Sequence, residues 1–170
     1  MKGAIGNALI LNIVITFMII FFSLLIGSMA YSKAYKTKNY LLNMVDKYET
    51  AGKTYFYVSE ESDGQEWDGE VNEYLAKIGY ILSKQKNTCP IKYTKGKTDP
   101  HEYNVLRQNE GYDYCIYRRY DIHPSDNNDS IIDMRYNYMV LVYMKFDFPI
   151  IGNFIKIPIT GETKSYTILR

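Results

Sequence analysis

The hydrophobic and polar positions of this chain divide it into an apolar beginning and a polar remainder. No charged residue lies between Gly3 and Ser32, and the residues from Ala8 to Ala30 are almost all apolar. As a helix, this segment of 23 residues would extend over about 34 Å, enough to cross a bilayer core of about 30 Å. The pattern therefore predicts a transmembrane helix over residues 1–30.

A helical pattern continues beyond the apolar segment. Aromatic and aliphatic side chains recur near helical spacing, and Gly52 is a typical helix stop. The positions that carry this pattern are Tyr31, Tyr35, Leu41, Leu42, Val45 and Tyr48. They predict one continuous helix from about Ile5 to about Ala51, in which residues 31–52 form an amphipathic continuation of the membrane segment.

The apolar segment also has an alternative interpretation as an export signal. Ser28, Met29 and Ala30 place small residues where a signal peptidase would cut, which leaves open a secreted enzyme released after Ala30. However, the apolar run is longer than the usual core of about 7–15 residues in a signal peptide, and the helical pattern passes through the cutting point. We therefore expect the segment to be retained as an anchor.

Residues 53–170 have the pattern of a small globular head. A helix is predicted over residues 66–84 from apolar positions at helical spacing, which include Trp67, Val71 and Leu75. Strands are predicted over residues 53–61, 89–93, 113–121, 134–148, 154–159 and 165–169, with turns at residues 62–64 and 160–162. The predicted class is α+β, with a long N-terminal membrane-spanning and amphipathic helix, a small antiparallel-sheet head and one further helix.

The two cysteines of the chain, Cys89 and Cys115, are candidates for a disulfide bond. Behind an export or anchor segment the compartment permits oxidation. Such a bond would close a loop of about 26 residues and stabilise the head by about 3 kcal/mol in the chain-entropy model. Two unrelated buried thiols are the alternative, and a zinc site that adds His101 and His123 lacks the close ligand spacing of structural zinc motifs.

The charge balance bears on partners and on orientation. Apart from Lys2, 19 basic and 19 acidic residues follow Ser32, so the head has no basic surplus for binding nucleic acid. Lys33, Lys36 and Lys38 follow the apolar segment, and the positive-inside rule alone would place the head in the cytoplasm. The candidate disulfide and the many tyrosines favour the outside.

No catalytic, metal or cofactor motif occurs in the sequence. The glycine-rich phosphate loops, the GxSxG and HExxH motifs and the EF-hand spacing are all absent. Aspartate and asparagine at positions 126–129, with Asp133, could offer oxygens to calcium but resemble a solvated turn. We therefore expect no enzymatic activity, no cofactor and no bound metal.

Two parts of the chain resemble a known family. They are the uncharged helix that leads into an amphipathic continuation, and the segment DFPIIGNFIKIPITGETK at positions 147–164, which follows a tyrosine-rich strand. Together they resemble the TadE/TadF-like pseudopilins of tight-adherence (type IV-like) pilus systems, in the Gram-positive form. The resemblance covers about the first forty and the last forty residues.

The resemblance implies a location, partners and a role. The chain would be a single-pass protein of the cytoplasmic membrane, with its head outside and incorporated into a surface pilus or secretion apparatus. Its partners would be the lipid bilayer and other pilin-like subunits or assembly proteins, without nucleic acid or a small-molecule cofactor. The residues expected to pack in the membrane and in assembly are Ile13, Ile15, Phe17, Ile19, Phe22 and Leu25.

The sequence departs from the family at the processing site. Prepilins are cut after a glycine and carry a glutamate at the fifth mature position, whereas cutting after Gly3 or Gly6 would place Ala8 or Leu11 there. This departure favours a minor or accessory subunit. A membrane-tethered extracellular binding or sensing domain, with a tyrosine-rich face for its ligand, is the alternative function.

Overall fold

The computed structural model confirms the α+β class. It describes residues 2–53, 56–57, 62–80, 89–90, 92–93, 103–108, 114–123, 133–145 and 156–168. The helices are α1 (Lys2–Thr50) and α2 (Ser62–Lys77). The strands are β1 (Lys92–Tyr93), β2 (Tyr103–Gln108), β3 (Tyr114–His123), β4 (Asp133–Lys145), β5 (Lys156–Glu162) and β6 (Tyr166–Ile168).

Helix α1 is unbroken over 49 residues, as the sequence predicts. At about 1.5 Å per residue it is about 74 Å long, so it extends far beyond the head. Its end is closed by hydrogen bonds from the N–H of Gly52 to the carbonyl of Glu49 (3.1 Å) and from the N–H of Lys53 to the carbonyl of Tyr48 (3.0 Å). This is the Schellman arrangement that often ends helices.

Helix α2 differs from its predicted bounds at both ends. It begins at Ser62, inside the segment predicted as a turn, where Asp63 interacts favourably with the positive end of the helix dipole. It ends at Lys77 rather than Lys84, because Gly79 adopts the left-handed conformation (φ 64°), which is incompatible with continuation of the helix. The N–H of Tyr80 then donates to the carbonyl of Leu75 at 2.9 Å.

The six strands form one antiparallel sheet in the order β1-β2-β3-β4-β5, and β6 pairs with β4. The long strand β4 occupies the centre, as its tyrosine-rich and valine-rich sequence predicts. Strand β3 lies along one edge of β4. Strands β5 and β6 follow each other along the opposite edge of β4, opposite residues 139–145 and 134–136.

Two local predictions are wrong and one strand was not predicted. In the predicted strand 53–61, the described residues Lys53, Phe56 and Tyr57 are not in a strand. The predicted turn at 160–162 is the end of β5. Gly161 serves there for close packing on α1, since a Cβ atom would lie 2.7 Å from Leu42 Cδ1. Strand β2 has no clear alternation of apolar and polar residues, and no element was predicted from the sequence over residues 104–108.

The core lies between the sheet and the second half of α1. One face of β3 and β4 packs with α1 and α2 in the larger cluster, which includes Leu41, Val45, Trp67, Ile116 and Val140. The opposite face of the same strands contributes to a second buried cluster of Cys89, Cys115, Tyr117, Met139 and Leu141. The sheet is thus buried on both faces near β3 and β4, and its larger core holds α1 against the head.

Candidate membrane and assembly surface

The first half of α1 exposes a long apolar surface. The six residues expected to pack in the membrane are all exposed, with exposed fractions between 43 % and 66 %. They are Ile13, Ile15, Phe17, Ile19, Phe22 and Leu25. In the described part of the chain, α1 is the one helix long and apolar enough to cross a membrane. A surface of this kind is unfavourable in water and is satisfied by lipid or by another apolar helix.

Two hydroxyl groups in this apolar segment, those of Thr16 and Ser23, are paired within the helix. Thr16 Oγ1 donates to the backbone carbonyl of Asn12, and Ser23 Oγ donates to that of Ile19, each at 2.8 Å. An unpaired hydroxyl in hydrocarbon is costly, and these local bonds remove most of that cost. The polar side chains therefore do not prevent α1 from crossing a bilayer.

One side of α1 is covered by the head. Ala34, Leu41 and Val45 on this side are completely buried. Because a helix has about 3.6 residues per turn, residues 18 positions apart lie on the same side. The residues of the apolar half that share this side, which we call the head side, are Thr16, Ser23 and Gly27.

The other side of α1, which we call the open side, is free of the head along the described chain. Ser32, Asn43 and Thr50 on this side are exposed. In the apolar half, Val14 and Leu25 lie 18 positions before Ser32 and Asn43, so they share the open side. The open side is thus apolar in the first half of the helix and polar in the second.

Helix α2 runs antiparallel to α1 and contacts it from Lys47 to Lys33. Lys47 Nζ lies 2.9 Å from Glu70 Oε1, and the rings of Tyr40 and Tyr74 stack with centroids 3.7 Å apart. At the end nearest the apolar half, Lys33 Nζ donates to the carbonyl of Gly79 at 3.0 Å. This contact places a positive charge at the C-terminal end of α2, where the helix dipole favours it.

Tyrosines of the sheet bind carboxylates of α1 at the far end of the head. Glu49 accepts hydrogen bonds from the hydroxyls of Tyr136 and Tyr138, the latter at 2.8 Å, and Asp46 accepts one from Tyr166. We call this group the tyrosine–carboxylate joint. Burial and the bonds to these carboxylates raise the pKa of each of the three tyrosines above its usual value.

The tyrosine pKa shifts predict that the head loses stability at alkaline pH. A raised pKa means that the folded head holds a proton that the unfolded chain loses, so the stabilisation is present below about pH 10 and falls above it. Burial also raises the pKa of Tyr48 to about 12. We expect the thermal midpoint of the full chain in nonionic detergent to fall steadily between about pH 10 and pH 12.

The variant Tyr138→Phe is the control for this pH dependence. It lacks one of the ionisable groups of the joint, so the free energy of unfolding should fall less steeply by about 1.4 kcal/mol per pH unit for the one proton removed. Equal slopes for the variant and the unchanged chain, fitted over the alkaline range, would contradict this assignment.

Cys89 and Cys115 form the predicted disulfide. Their Cα atoms are 6.1 Å apart, and the bond joins the segment before β1 to the start of β3. Because each sulfur is bonded to the other, neither is free for the zinc site considered from the sequence. His123 lies at the end of β3, whereas His101 lies outside the described residues. Within the described residues, no group of three or more potential metal ligands occurs.

The remaining predicted site residues, Gly3 and Gly6, lie within the first turns of α1. Processing after either of them stays a prediction. The tyrosine–carboxylate joint and the contact of Lys33 with Gly79 were not predicted from the sequence. The signal for the joint is an acidic pair three residues apart, Asp46 and Glu49, on the amphipathic half of a helix that precedes a tyrosine-rich strand.

The structure therefore defines a protein with one long helix, whose first half is exposed and apolar and whose second half is covered on one side by an α+β head. Comparison of the chain with protein-family models, curated proteins and solved structures gave no match. A functional proposal for this chain therefore depends on the physical properties of its own residues.

Proposed function

We propose that this protein is a non-enzymatic, membrane-anchored pilin-like subunit, a minor or accessory component of a type IV-like tight-adherence pilus or secretion apparatus. It acts through packing of its apolar helix and through contacts of its head. The observation that carries the proposal is the single unbroken helix α1. Its first half is apolar and exposed, and its second half packs against the head.

The arrangement of the helix suits transfer between lipid and an assembly. An apolar helix is stable in hydrocarbon, and in a bundle of similar helices side-chain packing replaces the lipid contacts. Helix α1 has no break between its two halves, so the head would move with the helix. The head would then determine which neighbouring subunits fit.

The head also restricts how two such subunits can pack. It covers the head side of α1, where Met44 and Val45 are buried. A second copy placed in parallel on that side would overlap this head. Packing between copies is therefore expected on the open side, where Val14 and Leu25 lie.

One observation supports a head outside the cytoplasm. The disulfide between Cys89 and Cys115 is typical of oxidising compartments. We therefore propose the outside orientation, although Lys33, Lys36 and Lys38 follow the apolar segment.

Photo-crosslinking in native membranes tests the proposed packing. A benzoylphenylalanine replaces Leu25 on the open side, and in a control chain it replaces Ile26, which lies 18 positions before the buried Met44 on the head side. The two positions have almost the same depth in the membrane. We expect crosslinks from position 25 to chains that themselves begin with an apolar helix, and mainly lipid adducts from position 26.

The outcomes separate the proposed function from its alternatives. Lipid adducts alone at both positions would contradict assembly and favour a tethered binding or sensing domain. The intact mass of the mature protein provides a second test. A mass that lacks residues 1–30 would show that the chain is a secreted protein released after Ala30, without an anchor.

A further inference from the structure

We propose that the junction between the apolar segment and the head binds the headgroups of anionic phospholipids. The inference rests on the anchoring part of the proposed function, but not on assembly into a pilus. The residues of this site, which we call the lysine collar, are Lys33, Lys36, Lys38 and Lys77.

The collar lies at the level of the lipid headgroups. The apolar residues from Leu9 to Ala30 extend over about 33 Å, so α1 leaves a hydrocarbon core of about 30 Å close to Tyr31. Residues 31–38 cover about the next 12 Å, which includes the headgroup layer. Ala30 already packs against the core of the head, so no spacer separates the head from the bilayer surface.

Helix α2 brings the next lysine to this level. Because α2 is antiparallel to α1, its C-terminal end returns towards the membrane, and Gly79 meets Lys33. Lys77 therefore lies near the base of the head, and its side chain is exposed.

The backbone of strands β4 and β5 also extends to this end of the head. Tyr138 of β4 meets Glu49 at the far end of the head, whereas the carbonyl of Tyr143 accepts a hydrogen bond from Tyr80 beside Gly79. Strand β4 thus runs towards the membrane. The final pair of the β4–β5 ladder, Lys145 and Lys156, lies at the membrane end of the strands.

The charges of the head are separated along its length. Among the acidic residues that the structure describes, the nearest on α2 is Glu73, one turn farther from the membrane than Lys77. Other carboxylates lie towards the far end, where Asp46 and Glu49 bind tyrosines and Glu66 pairs with Lys53. Among the described side chains, those at the membrane end therefore have a local basic surplus, although the whole chain is almost neutral.

Neighbouring aromatic residues support a membrane contact. The rings of Tyr31 and Tyr35 stack with centroids 6.1 Å apart, and both tyrosines are exposed. Tyrosine prefers the boundary between hydrocarbon and water, and lysines beside a bilayer attract anionic headgroups. The bonded Lys33 and the ring-bound Lys38 fix two of the positive charges in this layer.

Electron paramagnetic resonance of spin-labelled lipids tests the collar. The full chain is reconstituted in phosphatidylcholine nanodiscs that contain a trace of spin-labelled phosphatidylglycerol or phosphatidylcholine, and the fraction of motionally restricted lipid is measured. At low salt we expect phosphatidylglycerol to associate at least about threefold more strongly than phosphatidylcholine. The preference should fall as salt is added, because salt screens exposed charges.

A pair of matched variants shows whether the collar causes the preference. Lys36→Gln with Lys77→Gln removes two exposed collar charges and should lower the preference by about half or more. Lys53→Gln with Lys164→Gln removes two charges at the far end and should leave it unchanged. The preference is the ratio of phosphatidylglycerol association to phosphatidylcholine association. A change in protein stability that affects both lipids equally therefore leaves it unchanged.

Each other outcome overturns the inference. Equal association of the two lipids with the unchanged chain, or an equal loss with the far-end variants, would show that the collar does not bind anionic headgroups. The proposed pilin-like function would survive those results. Failure of the chain to enter nanodiscs of either lipid would overturn both, since no anchor would exist.

Discussion

Two arginines in the middle of the apolar half of α1, introduced as Ile19→Arg with Phe22→Arg, should release the protein from the membrane. Both side chains are exposed, so the change leaves the head core intact. Arginine at the centre of a transmembrane helix costs about 2.5–3.5 kcal/mol, and each replaced apolar residue contributes a further few tenths. The combined cost of about 6–8 kcal/mol should move the protein out of the carbonate-resistant membrane fraction.

The control places two arginines on the same helix outside the membrane. Asn43→Arg with Thr50→Arg changes exposed residues of the open side beyond the apolar segment, and this variant should stay in the membrane fraction. If the Ile19 and Phe22 variant is retained as fully as the control, the apolar half is not the anchor.

Removal of the disulfide should have the second largest effect. With Cys89→Ala and Cys115→Ala together, the unfolded chain regains the freedom of a loop of 26 residues. The free energy of unfolding should decrease by about 3 kcal/mol, in addition to a small loss of packing around the buried Cys115. Trp67 is the single tryptophan and is completely buried, so its fluorescence reports urea unfolding of the full chain in nonionic detergent.

The single variants Cys89→Ala and Cys115→Ala are the controls for this experiment. Either one removes the bond, so each should lose nearly as much stability as the double variant. This non-additivity distinguishes loss of a crosslink from loss of two independent packing contacts. Unfolding of the double variant at the same urea concentration as the unchanged chain would contradict a stabilising disulfide.

The sequence predicted helix α1 more accurately than the elements of the head. In α1, the uncharged segment and the helical spacing up to Tyr48 agree with each other, and Gly52 ends the helix within two residues of the prediction. Strand β4 was also found, because tyrosine, valine and methionine continue over its whole length. In both cases local preference and tertiary packing favour the same structure.

The errors in the head arise where tertiary packing decides. The apolar spacing of α2 suggested continuation to Lys84, but the left-handed conformation at Gly79 allows Lys33 of another helix to cap it. Gly161 suggested a turn, but the close approach of Leu42 requires a glycine within the strand. Neither contact can be found from neighbouring positions, since each partner is distant in sequence.

Only part of the candidate site was predicted, because some of its contacts join residues that are distant in sequence. The exposed residues of the membrane segment follow from composition alone, and the presence of two cysteines behind an export or anchor segment suggested their bond. The tyrosine–carboxylate joint requires Glu49 to meet Tyr136 and Tyr138, which are almost ninety positions later. Such a pairing depends on the sheet register, which the sequence does not specify.

Because α1 has no break, its apolar half and the head should tilt together as one rigid body. From Ala30 to Thr50 the helix extends over about 30 Å, and transmembrane helices are tilted by about 20° on average. A tilt of that size about Ala30 would carry Thr50 and the joint beside it sideways by about 10 Å. A small change in the tilt of the apolar half would therefore produce a displacement of several ångströms at the end of the head that lies farthest from the membrane.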